Sequence, residues 1–285
     1  MNFNTILILK GTNIKVVYTK MYETVAKMVL QHYDTPQFNN NLFIITILTD
    51  ENSNNIDFRE AYPNYDKYIY YQLQNLTLYP EYKSHEYIGQ FDEIWDFSHL
   101  NIEIYPEELK ERVWYMPLRY VDIPKIPPRE NYRYDIGYVG ILTPNTQDML
   151  YRITRYWTDS YCRVKIISGY SYTDSYNDIA DCKYIIDIPR DTDCCFVLNA
   201  SRIMEVLCSG KQIITEIRPA SENIFTWLIK GYTDIYTVQD LVKEPPTDNS
   251  EVFKIWTDSD ERYEIYRKYW MGNKYKQKLN LEHEI

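Results

Sequence analysis

CCFVLNASRIMEVLCSGKQIITEI, residues 194–217, holds a helix, a stop and a short apolar strand in one stretch. If residues 196–209 are helical, Ile203, Met204 and Leu207 fall on an apolar face, while Arg202, Glu205 and Ser209 recur at steps of three and four on the other side. Gly210 suits the left-handed position that ends a helix, and IITEI then reads as a buried strand. Taken alone, Arg202 and Glu205 are a surface ion pair on an amphipathic helix, a common feature of little individual weight. Their neighbours in the chain argue for more.

Around this stretch the second half of the sequence alternates regularly. YDIGYVG (134–140) is a strand ending in glycine, and Thr143 and Pro144 form an N-cap and first-turn pair for a helix whose inner side is Met149, Leu150, Ile153 and Trp157. CRVKIIS (162–168), KYIIDIP (183–189) and IITEI (213–217) are further strands, with TDIY (233–236) as a fifth. Helices are expected at 174–181, 196–209 and 221–229, and another from 237. Strands separated by helices of this length imply a parallel sheet covered on both faces.

The first half repeats the pattern less cleanly. NTILIL (4–9) is a first strand, followed by a turn at 10–13 and then IKVVYTK. Met21, Val25, Met28 and Val29 share one face of a helix over 21–32, and LFIITIL (42–48) is the nearly continuous apolar run of a buried parallel strand. KYIYYQL (67–73), EIWDFS (93–98) and VWYMPL (113–118) follow as strands, with a short helix after Pro106 that carries Glu107 and Glu108 at its positive end. Residues 50–65 form a polar excursion. Pro117, Pro124, Pro127 and Pro128 gather around 121–133, the composition of an interdomain linker. In the tail, Ile255, Tyr263, Ile265, Tyr266 and Trp270 can line one side of a terminal helix.

The expected architecture is α/β: two Rossmann-like αβα domains facing each other across a cleft, with a C-terminal helix crossing back to the first. The boundaries fall at 1–120 for the first domain, 121–133 for the linker, 134–249 for the second domain and 250–285 for the crossover. In such sheets ligands bind beyond the carboxyl ends of the strands.

Composition excludes several classes. A formal net charge of −10 argues against a surface built mainly to hold nucleic acid. Five cysteines, with Cys194 and Cys195 adjacent, show neither zinc spacing nor a disulfide framework, and the four histidines have no mutual ligand spacing. No apolar run approaches the roughly 20 residues that span a bilayer, and the start lacks a secretory pattern, so the cytoplasm is the expected location. The 30 tyrosines, with many Asn, Ile and Lys residues, fit the coding bias of an AT-rich genome such as that of a virus or a low-GC microbe.

For chemistry, the strand at 134–139, Gly140 and the helix start at Thr143 would present unpaired N–H groups and a positive dipole end to an anion such as a diphosphate. Neither GxGxxG nor GxxxxGK[ST] is present, so dinucleotide and P-loop readings fail their motifs. Asp191/Asp193 and Asp258/Asp260 are spaced as D-x-D, which invites a hard cation. Pairs this short arise easily by chance among 41 acids, and no metal is expected.

DIGYVG, then RIMEVLCSGKQIITEI, then TDIYTVQDLV resemble the donor-binding lobe of GT-B glycosyltransferases of the group 1 type, over about residues 134–245. The resemblance implies transfer of a sugar from a nucleotide-sugar donor to an acceptor: a saccharide, a protein or a modified base. It implies no cofactor beyond that co-substrate, and no essential metal. Glu205 then corresponds to the acid that binds the ribose or the sugar, Arg202 sits near the phosphates, and Gly140 lines the diphosphate approach. Thr143, Ser168 and Arg190 complete the donor-binding set. The chain departs from the pattern in lacking one acid of the group's pair, with Asn199 and Ala200 standing in that neighbourhood. It also lacks a Lys beside an Arg for the diphosphate, a place that Arg190 would fill. Asp96 and His99, just after a strand in WDFSHLN, are the candidate catalytic pair, with His99 taking the acceptor proton and Asp96 orienting it. Two other readings stay open: a nucleotide-sugar binding protein without transfer, and a viral enzyme that glycosylates modified DNA bases.

Overall fold

The computed structural model describes residues 6–46, 56–76, 88–155, 162–167, 172–188, 199–216, 228–259 and 263–264. Contacts divide the chain into two units, one of residues 1–19, 26–119 and 254–285 and the other of residues 20–25 and 120–253.

The first unit carries a six-stranded sheet in the order of the chain: β1 (Ile6–Lys10), β2 (Ile14–Thr19), β3 (Asn41–Ile45), β4 (Lys67–Gln72), β5 (Glu93–Asp96) and β6 (Val113–Tyr115). From β2 to β6 all pairs are parallel, and β1 joins as an antiparallel edge strand. The hairpin between β1 and β2 is held from outside. The Asp34 carboxylate accepts the backbone N–H groups of Thr12, Asn13 and Ile14 at 2.7, 2.5 and 3.2 Å. A Cβ on Gly11 would stand 2.4 Å from that carboxylate, so the turn closes only without a side chain there.

Strand register assigns the two faces of this sheet. Leu42 and Ile44 pair with Tyr68 and Tyr70, and Tyr70 with Ile94, on the face that meets Phe58 and Phe91. Phe58 begins α2 (Phe58–Ala61). On the opposite face Phe43 and Trp95 meet Tyr33, the last residue of α1 (Glu23–Tyr33). Both faces are therefore covered, which is why β3 is buried at every position. Two short helices follow, α3 (His99–Ile104) and α4 (Glu107–Lys110). Residues near the C-terminus tie into the same unit: Tyr263 donates to the Pro117 carbonyl at 2.5 Å, and Arg119 donates to the Thr257 carbonyl at 2.9 Å while lying over the Tyr263 ring.

The second unit has five parallel strands, β7 (Tyr134–Val139), β8 (Val164–Ile167), β9 (Cys182–Asp187), β10 (Ile213–Glu216) and β11 (Lys230–Tyr232), in the spatial order β11-β10-β9-β7-β8. On one face Ile136, Tyr138, Tyr184, Ile186 and Ile214 meet Leu150 and Ile153 of α5 (Pro144–Arg155) and Val238 and Val242 of α8 (Val238–Lys243). α6 (Tyr172–Ala180) packs on β8 and β9, and α7 (Ala200–Cys208) packs on β9 and β10. α9 (Ser250–Asp258) follows. The expectation of two α/β units with parallel sheets holds.

Helix α7 forms for the reasons its sequence gave. Asn199 caps it by accepting the Arg202 N–H, and Ile203, Met204 and Leu207 are almost wholly buried. Each such side chain contributes ~1.5–3 kcal/mol on burial. Gly210 takes φ +78°, its N–H reaching the Leu207 carbonyl while the Lys211 N–H reaches that of Val206, the paired bonds of a Schellman stop.

One strand moves. TDIY is not a strand: β11 ends at Tyr232, and residues Ile235–Thr237 form a 3-10 turn because Asp234 accepts the Tyr236 N–H and caps it. The helix expected at 221–229 lies almost entirely outside the described residues, as do residues 196–198 of the opening stretch and most of the expected terminal helix.

Candidate functional site

In the second unit the chain steps from β7 to β8 on one side, then returns past β7 to place β9, β10 and β11 on the other. Connections therefore diverge at the carboxyl ends of β7 and β9, the switch point where open parallel sheets bind ligands. The first sheet, laid down in chain order from β2 to β6, has no such reversal among its described strands.

Gly140 follows β7 at this switch point with φ +142°, a conformation that side chains resist. Its N–H is held by the Ile167 carbonyl at 3.1 Å, and Tyr138 donates to the Ile141 carbonyl at 3.0 Å, fixing the turn. A Cβ on Gly140 would lie 3.2 Å from Nη2 of Arg202, so the guanidinium stands directly beside the glycine.

Arg202 projects from the first turn of α7. Its Nη1 donates to Oδ1 of Asp187, the last residue of β9, at 2.5 Å. Asp187 is buried, and its other oxygen stands 3.5 Å from the hydroxyl of buried Thr215 on β10. The guanidinium thus has one edge tied to Asp187 and another beside the glycine, while the side chain stays 22% exposed. Such an edge can donate two parallel hydrogen bonds to a phosphate or carboxylate.

Glu205 lies one turn further along α7. Its residue surface is only partly covered, yet burial of the carboxyl pushes its pKa up to about 7, with the Glu23 charge adding. A hydrogen bond with Thr24 and the charge of Arg202 work in the opposite direction. A carboxyl poised near neutrality can accept or donate a hydrogen bond to a hydroxyl.

Thr143 has a local task. Its hydroxyl accepts the Thr146 N–H while the Thr146 hydroxyl accepts the Thr143 N–H, a reciprocal cap for α5. Ser168 and Arg190 lie outside the described residues. Asp187 and Thr24 went unnoticed in the sequence. Asp187 had a signal, an acid closing the apolar run of KYIID, whereas Thr24 comes from a distant segment with no motif to mark it.

Asp96 and His99 belong to the first unit. Asp96 is fully buried at the end of β5 and accepts the Ser98 N–H, the Asn101 amide and the Tyr105 hydroxyl. These bonds shape the turn into α3, whose first residue is His99, its ring edge-on to Tyr115 with centroids 6.1 Å apart.

Of the D-x-D pairs, Asp258 lies 4.0 Å from His32, and Asp260, Asp191 and Asp193 fall outside the described residues. Among the described residues no three His, Cys, Asp or Glu side chains gather as a metal site. Cys162, Cys182 and Cys208 are buried free thiols, each pushed up to about 12 by burial. Cys194 and Cys195 are outside the described residues. No helix among those described is long and apolar enough to cross a membrane.

Neither a protein-family model nor a curated protein matches the chain by sequence. Solved structures do. Accessory secretory protein 1, 2 and 3 of Streptococcus pneumoniae matches over 93% of this chain and 60% of its own, at 10% identity and a TM-score of 0.42. The present chain thus spans less than two thirds of that protein's length. The lipopolysaccharide outer core galactosyltransferase WaaB in its apo form matches over 83% and 76%, at 10% identity and a TM-score of 0.44. An alpha-glucosyltransferase in complex with UDP and a 13-mer DNA containing an HMU base matches over 87% and 78%, at 10% identity and a TM-score of 0.45.

Proposed function

We propose that the protein is a nucleotide-sugar-dependent glycosyltransferase whose donor is held by the second unit. The observation that carries this reading is the meeting of Gly140 and Arg202 at the switch point between β7 and β9, with Glu205 one turn along the same helix. A diphosphate beside Gly140 meets the guanidinium edge of Arg202, and a sugar or ribose hydroxyl meets Glu205. In the transfer, an acceptor oxygen forms a bond to the anomeric carbon as the bond to the diphosphate breaks. The electron pair leaves with the phosphate oxygen, where Arg202 stabilises the developing charge without a metal.

We assign acceptor recognition to the first unit and the acceptor proton to His99. Asp96 acts through the turn it holds, since its carboxylate is already engaged with Ser98, Asn101 and Tyr105.

The test is a thermal-shift screen against UDP-, GDP-, ADP- and dTDP-sugars, followed by an assay of nucleoside diphosphate release with and without EDTA. A ligand bound only by the native state raises the melting temperature. We expect a shift with one nucleotide class and EDTA-resistant turnover, lost in Arg202→Ala and Glu205→Ala variants that still fold. Binding without turnover on any acceptor would leave a nucleotide-sugar binding protein. Absence of a shift with every donor would overturn the proposal.

A further inference from the structure

Asp187 has no place in the motif that drew attention to the site, yet it is the residue that fixes Arg202. It closes β9 directly beside the strand reversal and is 5% exposed at the side chain. One oxygen takes the Arg202 Nη1 hydrogen, and the other faces the Thr215 hydroxyl from the neighbouring strand. An arginine side chain free to sample its rotamers loses ~2 kcal/mol of entropy on being ordered by a ligand. Held against a rigid strand, it has that cost already met when the ligand arrives.

Building on the donor-binding reading above, we infer that Asp187 is a positioning residue: it orients the guanidinium of Arg202 so that its open edge faces the anion site beside Gly140. Asp187 carries a negative charge next to the cation that meets the anion. If it merely screened Arg202, removing its charge would tighten anion binding. If it aims Arg202, removing its charge loosens the guanidinium and weakens anion binding.

The experiment is calorimetric titration of full-length wild type, Asp187→Asn, Arg202→Ala and the double variant with UDP, GDP, ADP and dTDP, at two salt concentrations. For the nucleotide that wild type binds, Asp187→Asn is expected to bind about tenfold more weakly, a change of about 1.4 kcal/mol. Added to Arg202→Ala, the same substitution should cause no further loss, because a positioning residue has nothing left to position and only its repulsion of the anion remains to be removed. A merely structural role would lower affinity by the same factor in both backgrounds and lower the melting temperature of the unliganded protein with it. Unchanged or tighter binding by Asp187→Asn, or an additive loss in the double variant, overturns the positioning role while leaving the donor site intact. If wild type binds none of the four nucleotides, the donor-binding reading itself falls, and the role of Asp187 falls with it.

Discussion

Replacing Glu205 by Gln should make the protein's stability less sensitive to pH, and the size of the effect follows from its surroundings. The carboxyl has an ordinary value of 4.5 and is raised to about 7 in the fold, chiefly by burial. At about 1.4 kcal/mol per unit, that rise corresponds to about 3 kcal/mol, an upper limit because part of the residue is open to solvent. The sign runs one way. The folded state holds the proton more tightly than the unfolded chain, so between pH 4.5 and 7 the unfolded state binds fewer protons and stability falls as pH rises. Below pH 4.5 both states are protonated and the folded form keeps its full stability; above pH 7 it carries the whole cost of a buried carboxylate. Gln keeps the shape and a hydrogen-bonding oxygen toward Thr24 but does not titrate. Urea unfolding of wild type and Glu205→Gln at pH 4.5, 6, 7 and 8 should therefore show the variant gaining about 2–3 kcal/mol on wild type across the series. A stability difference that stays constant to within ~0.5 kcal/mol over that range would refute the reasoning, because it would mean that the carboxyl titrates alike in the folded and unfolded chain.

Three further outcomes are expected. Thr24→Val removes a hydrogen bond that favours the charged form of Glu205, so the midpoint of the pH effect should move upward, read from the same unfolding series. Gly140→Ala forces a side chain into φ +142° and within 3.2 Å of the Arg202 guanidinium; it should cost ~1–2 kcal/mol of stability and displace Arg202, seen as weakened nucleotide binding by calorimetry. Asp34→Ala deprives Thr12, Asn13 and Ile14 of their acceptor and should cost ~1–2 kcal/mol at neutral pH. Burial works against the Asp34 carboxylate, but the N–H bonds from Asn13, Thr12 and Ile14 together hold its pKa below 3.8, so the advantage of wild type should fade only as pH falls through that depressed value. Equal loss at pH 2 and pH 7 would count against it.

Much of the fold could be read from the chain because period and punctuation are local properties. Short apolar runs such as LFII and KYIID read as strands buried on both faces, and Gly210 after an amphipathic run ends α7 where the sequence placed the stop. The same locality misled at TDIY, where residues of strand composition follow an acid able to cap a tight turn; whether a backbone N–H goes to a sheet or to Asp234 is not written in the residues themselves.

Arg202, Glu205 and Gly140 were visible as candidates because a helix face and a glycine at a strand end carry recognisable chemistry. Strand order was not visible. Placing β9 beside β7 instead of beside β8 creates the switch point, and it is this crossing that brings Asp187 to Arg202 and Arg202 to Gly140. The protonation of Glu205 likewise depends on burial and on Thr24, a residue from a distant segment. The sequence by itself determined which groups are chemically able to act. Tertiary structure decided which of them meet and at what charge, because strand pairing and burial are long-range outcomes of packing rather than properties of any local stretch.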